Sequence, residues 1–282
     1  MPAPPAIMMQ TFAKQKFASF NLKVPQNWQD PQGDAGDHYG RAFKPEEKNT
    51  TPAMGAPLLF QAASMNKYHT DTQKMLCAKF GGFIDGICSA ICSAWSQWHS
   101  LSTMVGFVVA GPTVSAGQIV GPPLYPLIMA SAPKANPSEL KYSNVIAQVI
   151  GTAWLTYTAT IKLAGMPLFP AYSALAVPVA PPMPHMPVPI AQFINVPVSV
   201  TMDVLKAQKI AMLGDPQAQY AKELFESIAD AFDKCVQKWK SPVPAGGLGT
   251  SVTNLIVIAT GGTPVSPLPA VGTATMPPGG IV

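Results

Sequence analysis

Charge is what this 282-residue chain has least of: 11% of its residues are charged, against roughly 25% in soluble domains. Arginine is nearly missing, with Arg41 the single example. Nucleic-acid binders gather basic residues on one face and favour Arg for bidentate contacts. Here a net charge of +4 comes from Lys spread among Asp and Glu, which argues against a nucleic-acid partner. Cysteine is scarce too. Cys88 and Cys92 sit one helical turn apart in an apolar stretch, and with Cys77 and Cys235 they read as packing residues, not a disulfide framework. Unbroken apolar runs of the ~20 residues a membrane span needs do not occur. Val145–Ile161 contains Gln148, Gly151 and four Thr, and the uncharged stretch 86–133 is cut by Pro112, Pro122, Pro123 and Pro126. The N-terminus lacks the basic-then-apolar order of a secretion signal, so synthesis in the cytoplasm is expected. GxGxxG, Walker A, HExxH and GxSxG are all absent. With no reactive constellation, neither catalysis nor a cofactor is expected.

What is present is proline, 31 residues, with 22 glycines. Together they stay below the roughly 25–30% that marks disordered low complexity. The charges are unevenly placed. Residues 86–202 hold only Lys134, Glu139, Lys141 and Lys162, and residues 241–282 hold none. A free monomer needs a solvated surface of about 25–35% charged residues. A chain this poor in charge is expected to cover itself with neighbours, other protein subunits first and lipid second.

The expected fold is α+β and helix-dominated. Residues 1–60 are turn-rich and Pro-punctuated, and read as an extended N-terminal arm anchored by Phe17, Phe20, Leu22 and Trp28. A first helix is expected from Thr70, where Thr70 and Gln73 have capping-box spacing. Phe80, Ile84, Ile87, Ile91, Trp95 and Trp98 then form one helical face. A second begins at Asn136, with Pro137 at N1 and Glu139 at N3. It is apolar nearly all round, so it should be central. A third begins at Asp215–Pro216, its acids early and its lysines late, as the helix dipole prefers. A shorter helix over Met202–Met212 precedes it. Each long helix is followed by an uncharged Pro/Gly-rich segment suited to short strands and polyproline-like stretches. Trp95 and Trp154 are 59 residues apart, as are Pro122–Pro123 and Pro181–Pro182. The spacing points to three helix-plus-Pro-rich units, at 61–133, 134–200 and 201–282, in a pseudo-threefold arrangement.

Candidate site residues are few. The four His share no ligand spacing. Cys88, Cys92 and His99 on one helix side fall short of a closed zinc site. Asp30, Asp34, Asp37 and His38 fit turn formation better than a calcium loop. His185, in PPMPHMPVP, is a weak metal candidate through a molecular threefold. Trp95, Trp98, Trp154 and Trp239 lie on helix faces among aliphatic neighbours, as core residues whose indole N–H groups should find partners. With Trp28, Met183 and Met186 they are also the candidate interface anchors.

The arm, the charge-free stretches and the segments GPPLYPLIMASAP, APPMPHMPVP and TGGTPVSPLPAVG together resemble structural proteins of phage tails and contractile injection particles, such as baseplate, spike-tip or tube-end components. The PAAR repeat of spike-tip proteins is absent. The resemblance implies a non-catalytic subunit of a virion-like or injection particle, partnered by other protein subunits. A membrane-active protein released from a carrier and a secreted enzyme or toxin are the alternatives.

Overall fold

A computed structural model of the chain describes residues 3–22, 67–110, 113–167 and 220–240, with short pieces between 188 and 213 and between 251 and 278. In chain order the elements are α1 (Ala6–Ser19), α2 (Lys67–Leu101), β1 (Thr103–Ala110), β2 (Thr113–Val120), α3 (Leu124–Ser131) and α4 (Pro137–Thr160). Then come β3 (Lys162–Pro167), β4 (Val188–Pro189), β5 (Phe193–Ile194), α5 (Ala221–Lys240), β6 (Ser251–Val252), β7 (Ile256–Gly261) and β8 (Val271–Met276). The fold is α+β and helix-dominated.

The three long helices form where the apolar stripes predicted them. α2 starts a turn earlier than Thr70 and runs unbroken through Gly81–Gly82. α4 has the expected cap: the Asn136 side chain accepts from the Glu139 amide at 2.8 Å, and the Glu139 carboxylate accepts from the Ala135 amide at 2.9 Å. Four otherwise free amides open every helix, and these two bonds satisfy part of that demand. α5 follows Tyr220, whose φ of +61° marks a left-handed residue outside the helix; Asp215–Pro216 lies outside the described residues. Asp203, Leu205, Lys206 and Ala207 are helical, within the Met202–Met212 segment expected to be short helix, and so is Leu213 just beyond it.

Two expectations need correction. The N-terminal segment is not an extended arm over residues 6–19. It is a helix whose Met9, Ala13 and Phe17 are fully buried against α5 and α2. Those residues step by four, the i, i+4 rhythm of a helix face, in a stretch too short to stand out from its polar surroundings. The second is GPPLYPLIMASAP, expected to be extended. Its centre is α3, with Pro123 as N-cap. Pro126 falls in the first turn, where its missing N–H costs no hydrogen bond.

The main sheet is six-stranded and antiparallel throughout, in the order β5-β3-β2-β1-β8-β7. β4 and β6 form a separate antiparallel pair. Strands from all three expected segments therefore share one sheet. Each long helix is followed by two strands that pair with each other: β1 with β2, β3 with β5, β7 with β8. α2 passes into β1 through Ser102, which is buried and donates to the Trp98 carbonyl at 2.6 Å. α4 passes into β3 through Ile161, also buried. A buried residue thus makes the turn from helix to strand at two of the three joints.

Candidate functional site

Three tryptophans, one from each long helix, meet at the centre of the molecule. Trp95 and Trp154 have ring centroids 4.8 Å apart, Trp154 and Trp239 5.7 Å, and Trp95 and Trp239 5.8 Å. All three are essentially inaccessible to solvent. Phe232 packs on Trp95 at 5.2 Å, and Trp98 on Trp154 at 4.8 Å in an edge-on arrangement. Tilted and edge-on aromatic pairs each add about 0.5–1.5 kcal/mol beyond area burial, so the triangle is the most concentrated source of cohesion here.

The three helices keep a common register about these rings. Four residues before each Trp stand Ile91, Ile150 and Cys235; seven before, Cys88, Ala147 and Phe232; eight before, Ile87, Ile146 and Ala231; eleven before, Ile84, Ser143 and Ile228. All twelve are buried. An open-mouthed cavity of about 220 Å³ lies at the N-terminal ends of α4 and α5, against the middle of α2. α2 contributes Lys79, Phe80 and Phe83, α4 contributes Ser138, Glu139 and Tyr142, and α5 contributes Ala221 and Leu224. Phe80, Glu139 and Leu224 each stand fifteen residues before their helix's Trp, so one cavity is walled by matching positions. A smaller cavity, about 80 Å³, lies where Pro122–Pro123 and the end of β2 meet Leu155 and Thr158 of α4.

Burial governs the ionisation of the groups around these rings. Burial raises the thiols, to about 11 for Cys77 and Cys235 and about 12 for Cys92, with Cys88 raised as well. Thiols held protonated are poor nucleophiles and poor metal ligands. The Cys92 thiol lies 3.9 Å from the Met9 sulfur of α1. Burial lowers His99 and so favours its neutral form. No cluster of three or more His, Cys, Asp or Glu able to hold a metal occurs among the described residues.

Trp95, Trp98, Trp154 and Trp239 do not reach the surface of this chain. The interface role expected of them gives way to a core role. Their helical spacing with Ile and Cys neighbours already carried that core signal. The indole N–H groups of Trp95, Trp154 and Trp239 have no hydrogen-bond partner among the described residues, contrary to expectation. Trp28, Met183, Met186 and the metal candidate His185 lie outside the described residues. Missed by the sequence were the exposed apolar residues of the sheet and its margins: Val105, Val108, Val120, Leu101 and Leu155. Their signal was the lack of charge around them. Among the described residues one helical stretch, Cys77–Leu101, is long and apolar enough to cross a membrane, yet its Ile84, Ile87, Ile91 and Trp95 are wholly buried in the core.

No protein family, no characterised protein and no solved structure matches this chain.

Proposed function

We propose that the chain is a non-catalytic structural subunit that sits on a threefold or sixfold axis of a symmetric particle, in the manner of a baseplate, spike-tip or tube-end component. The observation that carries this reading is the common register of α2, α4 and α5 about the Trp95–Trp154–Trp239 triangle. On this reading the three segments are copies of one unit, each a long helix followed by a strand pair. A single chain with threefold internal symmetry can occupy an axis once and present three equivalent faces to a ring of other subunits. That resolves a mismatch between one copy and three or six neighbours.

The charge-poor surface supports the same reading. Val108, Val120 and Leu155 are 49%, 47% and 60% exposed, which suits coverage by particle subunits. Obligate interfaces of this kind bury about 2,000 Å² or more. The chain is made in the cytoplasm and incorporated during assembly.

Electron microscopy of particles from the source cells, with this chain epitope-tagged, tests the proposal. The expected result is a single label at one axial end, and loss of that end when the chain is removed. A monodisperse, freely soluble chain absent from every particle fraction overturns it. Membrane activity is the second reading, favoured by the apolar helix Cys77–Leu101. Insertion would first have to dismantle the tryptophan triangle. Liposome flotation separates the two, because an axial subunit stays in the unbound fraction.

A further inference from the structure

We infer that the β7 edge of the six-stranded sheet pairs with the β7 edge of a second copy of this chain, antiparallel across a twofold axis. The pairing belongs to the chain outside any particle and does not rest on the axial reading above. On that reading one copy takes the axis, so the pair separates as the chain is built in.

The sheet ends in two unlike edges. β5 and β7 are its outermost strands, and among the described residues neither has a partner on its outer side. Alternate residues of an antiparallel strand turn their N–H and C=O groups away from the neighbour they already have. An outermost strand therefore carries a row of unpaired backbone groups, which is a template for another strand.

At the β5 end that template is short and interrupted. β5 is two residues long and covers only Lys162 and Leu163 of β3. Lys162 opens β3, Pro167 closes it, and Pro197 stands three positions after Ile194. A very short outer strand, a lysine and prolines all discourage strand addition. The β7 end has none of these. β7 is six residues long and pairs with β8 along nearly its whole length. Four of the six, Ile256, Val257, Ile258 and Thr260, are β-branched, the residue type that favours strands. Residues 251–261 contain neither proline nor charge, and the nearest charged residue in the sequence is Lys240.

Two features select a second copy as the occupant. The first is sense. Every pair in this sheet is antiparallel, and identical strands that face each other across a twofold are antiparallel by symmetry. The second is charge. Identical strands set side by side bring each charged residue towards its own twin, and like charges opposite one another destabilise a strand pair. A strand with charge-free flanks escapes that penalty wherever along it the twofold falls. The contrast between the edges also sets the stoichiometry. One open edge per chain stops the assembly at two copies, whereas two open edges would extend it into a filament.

Cysteine scanning of the purified full-length chain tests this. Val257→Cys, Ile258→Cys, Ala259→Cys and Thr260→Cys are made singly and oxidised at pH 8. The unsubstituted chain is the blank for the native thiols, which burial raises to about 11 or higher. A residue on the twofold meets its own copy, so the expected result is a covalent dimer from one or two adjacent β7 positions. None is expected from the blank or from Phe193→Cys on β5. Ile258→Lys sets like charges against each other across the pair. It should shift the chain from dimer to monomer in sedimentation while the near-UV signal of the Trp95–Trp154–Trp239 triangle is kept. A monomeric unsubstituted chain overturns the proposal, as does a folded Ile258→Lys chain that stays dimeric. Crosslinks that form equally well at Phe193 overturn it too. So do β7 cysteines that crosslink only to a different subunit in particle fractions, which would give the edge to that subunit. If Ile258→Lys unfolds the chain, the cysteine scan decides alone.

Discussion

α1 and α3 do the same job with different means. Each starts after a Pro-Pro pair, with Pro5 or Pro123 as N-cap in nearly identical backbone geometry (φ −64°, ψ 141° and φ −63°, ψ 134°). Each lies across two long helices, α1 on α5 and α2, α3 on α2 and α4. α3 is held mainly by shape, with one side-chain bond, the Tyr125 hydroxyl donating to the Asn144 side-chain oxygen of α4 at 2.8 Å. Tyr125 of α3 sits over Gly151 of α4, where an added Cβ would stand 3.0 Å from the Tyr125 amide nitrogen. Pro133 fills the notch at Gly86 of α2, 2.7 Å from where a Cβ would be. α1 is held partly by polar contacts. Lys14 pairs with Asp85 at 2.7 Å, and Gln10 donates to the Asp85 carbonyl at 3.2 Å and to the Ser89 hydroxyl at 3.0 Å. The ammonium groups of Lys238 and Lys234 lie 4.9 and 5.8 Å from the Phe12 ring centroid. Steric keying tolerates no side chain at the notch, whereas a polar seam is weakened by salt. The two bridges should therefore fail under different stresses.

The largest effect is expected from removing α1. A chain lacking residues 1–20 loses the buried Met9, Ala13 and Phe17 and uncovers Cys92. We expect a cooperative melting transition lowered by more than 10 °C or lost, with Cys92 becoming reactive to thiol reagents. An unchanged melting curve would mean that α1 is an ornament on an independent core. Single truncations grade the same seam. Phe17→Ala removes a fully buried ring that packs 6.0 Å from Phe80 and should cost about 3–5 kcal/mol by denaturant unfolding. Ile128→Ala, its counterpart in α3, should cost about 2–5 kcal/mol.

Next come the notches. Gly151→Val forces Tyr125 away from α4 and should cost about 1–3 kcal/mol as an overpacked contact. Gly82, in α2, has nothing within 4 Å of an added Cβ, so Gly82→Ala should be neutral or stabilise by about 0.5–1 kcal/mol through helix propensity. Equal losses at the two glycines would remove the argument that α3 is sterically keyed.

Alkaline pH probes the α1 seam. Folding raises Cys92 to about 12 and Cys235 to about 11 from an ordinary value near 9.0. The unfolded chain then releases thiol protons at lower pH than the folded one. Their contribution is complete below about pH 9 and is lost as pH climbs through 11 to 12. The melting temperature should fall over that range, and Cys92→Ala, which removes the thiol facing Met9, should flatten the slope. A slope unchanged by that substitution would place the alkaline transition elsewhere.

The long helices were legible because each carries its signal along one face: Phe80 to Trp98 in α2, and Leu224 to Trp239 in α5. The Asn136–Pro137–Glu139 start was legible because capping is a local matter of three residues. α1 and α3 were hidden for a shared reason. Their Pro-Pro entries are punctuation that also introduces loops, and a bridge of 14 or 8 residues has too few turns to establish a period against a Pro-rich background. The triangle was half legible. The 59-residue interval linked Trp95 to Trp154, but Trp239 follows at a longer gap, so no shared interval pointed to it. The sheet order was beyond reach, since pairing β1 with β8 joins residues more than 150 positions apart and no local pattern records a partner that distant.

The smallest effect sharpens the comparison most. Lys14 and Asp85 are each 39% exposed at the side chain, and pairs in such settings contribute about 0–1 kcal/mol because solvent and salt screen them. Lys14→Ala should therefore lower stability by less than about 1 kcal/mol at low salt. The difference between wild type and variant should vanish near 1 M salt, where the screening length falls to about 3 Å. Asp85→Ala should cost the same or slightly more. The Gln10 bond to the Asp85 backbone carbonyl survives either change, so the seam should loosen without opening. A double-mutant cycle over the pair at two ionic strengths measures this directly. If the coupling energy is large and indifferent to salt, α1 is held as rigidly as α3 and the distinction between a polar bridge and a keyed one dissolves. If it is small and screened, α1 is the bridge that solution conditions can release first, exposing Cys92 while α3 and the tryptophan triangle stay in place.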